Sequence, residues 1–110
     1  MMRNNKYLPL TETLFYILSA LIRPAHGYLI MQKVEGLSNG EVRMAAGTLY
    51  GAIDNLLKQG FIANVESPDP RRKVYHITAS GLQLLKLDIQ RMKHMAAMAD
   101  HLLEEGNHHD

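Results

Sequence analysis

Cysteine and tryptophan are both absent from this chain of 110 residues. Without a thiol there is no disulfide framework, no thiolate metal site and no Cys nucleophile. Long apolar runs are missing too. None approaches the roughly 20 residues of a membrane-spanning helix, and the opening MMRNNKYLPL lacks the continuous apolar core of a secretory signal. No membrane partner is expected, and the cytoplasm is the expected location. Charge of one sign is scarce: 12 Lys and Arg face 11 Asp and Glu, a net charge of +1. That balance hides an asymmetry, because residues 1–81 carry nine basic against six acidic side chains and residues 82–110 carry three against five. A mildly basic body with an acidic end is compatible with a nucleic-acid partner without demanding one. What is present, 46% apolar and 21% charged residues, describes a globular protein with one modest core.

Six histidines and eleven acids invite a search for catalytic chemistry. His94 and His101 share a helix face two turns apart, too far for one metal ion without further ligands. The run 107-NHHD-110 reads as an unstructured end that at most binds metal adventitiously. No nucleophile sits near a base, and no glycine-rich loop of the NTPase kind occurs. Catalytic residues, metal and cofactor are all expected to be absent.

Periodicity sets out the elements. Leu14, Ile17, Leu18 and Leu21 recur at helical spacing within 11-TETLFYILSALI-22, with Thr11 as N-cap, Leu10 and Phe15 as a hydrophobic staple and Pro24 as terminator. A second helix over 27–37 is expected to bury Ile30, Met31, Val34 and Leu37, and residues 41–44 suggest a short strand. A third helix runs from about Ala46 to Gln59 and stops at Gly60. The period then changes: 61-FIANVE-66 and 73-KVYHI-77 are strand-like, and 67-SPDPRR-72 marks the turn of a two-stranded hairpin. His76 is placed on its outer face. Thr78 caps a last helix, with Ile77 and Leu82 as its staple.

That last helix is long. From Ala79 to Glu105 it extends about 40 Å at 1.5 Å per residue. Its apolar residues follow a heptad through Leu82, Leu85, Ile89, Met92, Ala96, Ala99 and Leu103, widened by Met95, Met98 and Leu102. The stripe outruns a small domain. A second copy is its expected cover, with Leu85, Ile89, Met92, Ala96, Ala99 and Leu103 at the interface. Coverage by Leu10–Leu21 of the same chain is the alternative.

The third helix contains a local contradiction. Gly47 and Gly51 lie one turn apart, although each glycine in a helix costs about 0.8–1 kcal/mol against alanine. Leu49, Ile53, Leu56 and Leu57 gather on one side, with Tyr50 at the border. Gly47, Gly51, Asp54 and Lys58 gather on the other, flanked by Thr48 and Asn55. A bare polar face beside the positive end of a helix dipole suits close approach of an anionic backbone, such as a phosphate in duplex DNA. The alternative is tight packing of the glycines inside the domain. Asp54 either reads a cytosine or pairs with Lys58 at i+4. The run Arg71, Arg72, Lys73 sits on the hairpin, where guanidinium groups can clasp phosphates.

Helix, helix, helix, hairpin, helix is the order of a winged helix-turn-helix. The fold expected is therefore mainly α with a small β-hairpin, residues 1–78 forming the DNA-binding part and 79–110 a dimerisation helix and tail. The strings 26-HGY-28, 47-GTLYGAIDNLLKQGFI-62 and 71-RRKVYHITASG-81 resemble the PadR family of bacterial transcription regulators, over about residues 8 to 100. The resemblance implies a homodimeric repressor of the shorter branch, with the third helix for recognition and the hairpin for backbone contact. It places Thr48, Tyr50 and Gly51 at the DNA-facing helix and Arg71, Arg72, Lys73 and Tyr75 in the wing motif. It also implies an effector cavity near the long helices, for which Phe15, Met92, Met95 and Met98 are the apolar candidates; ordinary packing is the competing role of the methionines. One departure is 44-MAA-46, a poor helix start where the family commonly has Pro after a Ser-like cap. The absence of Trp means that no flat effector is sandwiched between indoles. A winged-helix module that binds protein instead of DNA is the remaining alternative.

Overall fold

In the computed structural model, residues 5–108 are described. Seven elements follow in order: α1 (Glu12–Ala20), β1 (Ala25–His26), α2 (Gly27–Leu37), α3 (Ala46–Lys58), β2 (Ile62–Val65), β3 (Val74–Ile77) and α4 (Ala79–His108). The architecture is mainly helical, a winged helix-turn-helix extended by one long C-terminal helix.

Local chemistry accounts for the boundaries. Thr11 caps α1 by accepting the Leu14 N–H at 3.1 Å. Beyond α3 the chain turns at Gly60, whose φ of +77° is left-handed backbone that glycine adopts without strain. Thr78 then ties two helices together. Its Oγ1 accepts the Gly81 N–H at 3.1 Å, capping α4, and donates to the Gly60 carbonyl at 2.6 Å. Gly81 is required there, since a Cβ would run into the Phe61 carbonyl oxygen and lie 2.9 Å from Ile77 Cγ1.

The core is a single cluster. Ile17, Leu18 and Leu21 meet Ile30 and Val34 of α2, Leu49, Ile53 and Leu56 of α3, and Ile62 and Ile77 of the sheet. Leu84 and Leu85 complete it from the first turns of α4.

Three expectations are corrected. The hairpin is part of a three-stranded antiparallel sheet of order β1-β3-β2, with Ala25 opposite Tyr75 and His26 opposite Val74. Two residues carry no periodicity, so β1 exists only through its pairing. Residues 41–44 form no strand. Val42 is held instead by Ser38, whose Oγ accepts its N–H at 2.9 Å, after a turn through Asn39 and Gly40 at φ 53° and 79°. Leu37, expected in the core, is 57% exposed, because α2 ends there before another element covers that face.

The molecule measures 63 × 31 × 21 Å. Its length comes from α4, whose 30 residues rise by about 45 Å. Ile89 and Met92 still lie half-buried, but every residue from Lys93 to Asn107 is exposed.

Candidate nucleic-acid interface

α3 presents its bare face to solvent. Gly47, Thr48, Tyr50 and Gly51 are exposed while Leu49 and Ile53 are buried. A Cβ added at Gly47 or Gly51 would meet no atom within 4 Å, so neither glycine serves packing inside the chain. The helix start is as poor as 44-MAA-46 suggests: the N-cap is Ala45, without a side-chain hydrogen bond. The first amides therefore lack a side-chain acceptor. Lys58, at the far end of the same stripe, pairs with Asp54 at 3.1 Å. Both groups are exposed, so the pair adds little to stability. Asn55 lies on the other flank from Tyr50, where with Tyr7, Leu10 and Phe61 it lines a recess of about 110 Å³.

The wing folds back beside the Tyr50 flank. Ser67, Asp69 and Arg71 organise its turn: Ser67 Oγ accepts the Asp69 N–H at 3.2 Å, and Asp69 Oδ1 accepts the Arg71 N–H at 3.0 Å and Arg71 Nε at 3.3 Å. Those bonds, the backbone one foremost, hold the Asp69 carboxyl below its ordinary 3.8, with Arg72 adding to the effect. Arg72 and Lys73 have no ion pair among the described residues and stand exposed.

Between wing and α3 lies a cleft of about 420 Å³ lined by His26, Gly27, Tyr28, Tyr50, Tyr75 and the triplet 71–73. Gly27 is what lets Tyr50 close over it, since a Cβ there would collide with the Tyr50 hydroxyl and lie 2.7 Å from its Cζ. Tyr75 sits on the central strand at 5% exposure. Burial first, and Tyr50 second, push its phenol above the ordinary 10.0, so it remains protonated. The structure thus gathers Tyr50, Arg71, Arg72 and Lys73 around one cleft, places Gly47, Thr48 and Gly51 on the adjoining helix face, and leaves Asn55 and Lys58 outside it.

The profile of the transcriptional regulator PadR-like family matches residues 14–87, from α1 into α4. This chain belongs to the PadR-like family. As a transcriptional regulator of that family it is no enzyme, and among the described residues no three His, Asp or Glu side chains group to hold a metal ion. No helix of the described residues is long and apolar enough to cross a membrane. A PadR family transcriptional regulator from Eggerthella lenta is similar at 28% identity and TM-score 0.66, over 84% of this chain and 81% of that one. A transcriptional regulator from Clostridium thermocellum matches at 26% identity and TM-score 0.68, over 79% and 85% of the two chains. A PadR family regulator from hypervirulent Clostridium difficile shares the fold at 21% identity and TM-score 0.69, over 84% and 99%. No curated protein matches.

The far half of α4 leaves the body of this PadR-like protein and is exposed from Lys93 to Asn107. Leu85, assigned to the dimer interface by its heptad position, is 2% exposed and belongs to the core of its own chain. Ala96, Ala99 and Leu103 are exposed on the projecting segment, as are Met95 and Met98. Phe15 is half-buried on α1, packed against the core. Asp88, which no periodicity marks, is 1% exposed and accepts a hydrogen bond from Arg91 Nε at 2.7 Å. Its i, i+3 spacing to an arginine was the available signal.

Proposed function

We propose that this PadR-like regulator is a homodimeric, sequence-specific DNA-binding repressor, released by an apolar small-molecule effector or another signal. The observation that supports the DNA contact most is the pair of outward glycines on α3, which serve no packing inside the chain. In this reading Gly47, Thr48, Tyr50 and Gly51 enter the major groove, while Asn55 and Lys58 flank the contact. Arg71, Arg72 and Lys73 clasp the neighbouring backbone. Residues 1–78 read DNA, and 79–110 join two copies through Ile89, Met92, Ala96, Ala99 and Leu103. The two half-sites then lie about 34–36 Å apart on one side of the duplex. A ligand seated among Phe15, Met92, Met95 and Met98 where two copies meet would change the angle between the long helices and therefore that spacing.

The test is fluorescence anisotropy with a duplex from the gene's own upstream region at two salt concentrations, against an unrelated duplex. The expected result is salt-sensitive binding that prefers the upstream duplex and weakens at least tenfold in Arg71→Ala/Arg72→Ala. Absence of binding to any duplex at low salt would sink the reading in favour of a protein-partner module.

A further inference from the structure

The cleft between wing and α3 contains two donor sets that the groove-reading role leaves unused. α2 begins at its rim: His26, Gly27 and Tyr28 line the cleft, and the N-cap His26 makes no side-chain hydrogen bond to the helix. The first amides of α2 therefore lack side-chain acceptors and carry the positive end of an 11-residue helix. Independently, Tyr75 is 95% buried, at 5% exposure, and its hydroxyl makes no hydrogen bond among the described residues. No occluded side-chain polar atom of those residues lacks a partner, so this hydroxyl opens into the cleft that Tyr75 lines. Arg72 and Lys73 line the same cleft.

We propose that this cleft is a seat for a phosphate group, held by the first amides of α2 and the Tyr75 hydroxyl, with Arg72 and Lys73 closing over it. An anion is the ligand that fits, because the lining carries three basic side chains, Arg71, Arg72 and Lys73, and no acidic one. The Tyr75 phenol stays protonated at neutral pH and so donates. Tyr75 reaches the seat only because β3 is central, bonded to β1 on one side and β2 on the other. The seat would fix wing, α2 and α3 against one point of the ligand. A backbone phosphate of duplex DNA and a free phosphate ester share this chemistry. The choice of DNA rests on the function proposed above, whereas the seat itself does not.

Backbone NMR of the full chain titrated with inorganic phosphate tests the seat without DNA. The Gly27 and Tyr28 amides should shift saturably, and Tyr75→Phe, which keeps the ring, should weaken the phosphate affinity about tenfold. A shift reproduced by sodium chloride at equal ionic strength, or an unchanged affinity in Tyr75→Phe, overturns the proposal. A thermal melt of Tyr75→Phe establishes that the variant is folded; Arg72→Ala, exposed and harmless to the fold, provides a second reading with the same expected weakening. Added duplex should displace the phosphate, which identifies the backbone as its source. Duplex bound with phosphate still in place overturns that source and leaves a free phosphate ester. If wild type holds phosphate but binds no duplex, the seat stands and the DNA-binding function falls.

Discussion

Glycines divide by what surrounds them. Gly81 and Gly27 each face an atom that a methyl group would strike, whereas Gly47 and Gly51 face open space. Gly51→Ala should raise stability by about 0.8–1 kcal/mol, read as a Tm increase of about 4 °C, because an exposed helix interior favours alanine. Gly47 sits in the first turn, and its replacement should gain less. The double variant should nevertheless bind the upstream duplex at least tenfold more weakly; equal binding would remove the bare face from the interface. Gly27→Ala separates the same two quantities in another way. Its added methyl meets only the far end of Tyr50, an exposed side chain that can swing aside. The melting temperature should therefore change little while DNA affinity falls.

At the scale of the element, α4 passes through two regimes of burial along one continuous helix. Leu84, Leu85 and Asp88 are buried against the domain, and from Lys93 onward the helix is exposed. The boundary between these regimes holds an ion pair, buried Asp88 with half-buried Arg91 at 2.7 Å. Removing one partner of such a pair leaves an uncompensated carboxylate, a loss of about 3–5 kcal/mol. Arg91→Ala should lower the urea midpoint accordingly, whereas Lys93→Ala, exposed two residues on, should leave it where it is. A shift of equal size in both variants would show that the pair carries no special weight. Heptad periodicity finds this helix but not where its burial ends, since the same leucine spacing serves a core and an interface.

For the whole molecule the decisive feature is that 63 Å length, against 31 and 21 Å across. A helix exposed from Lys93 to Asn107, with Met95, Met98, Leu102 and Leu103 bare, buries its apolar stripe only by meeting another surface. Light scattering should give twice the chain's 12.4 kDa for wild type. Met98→Glu/Leu102→Glu should give the monomer mass with the domain still folded, because neither side chain lies in the core. The same variant should lose affinity for a two-half-site duplex far more than for a single half-site. A double variant that stays dimeric would move the interface elsewhere.

Much of this protein was settled along the chain. The 3.6-residue period of α1 and α3, the turn residues before the wing, the caps at Thr11 and Thr78 and the stop at Gly60 are local facts, and local facts survive in a linear string. The outward direction of Gly47 and Gly51 was legible for the same reason, since helical geometry alone turns them from Leu49 and Ile53. The tertiary structure alone decided the rest. β1 owes its existence to Tyr75 and Val74, about fifty residues later. Leu37 and Leu85 look alike in the sequence, yet one is bare and the other buried, because burial depends on what arrives from elsewhere. The cleft is assembled from α2, α3 and the wing, so no stretch of sequence contains it. Periodicity determines which face of an element is apolar; only packing determines what that face meets.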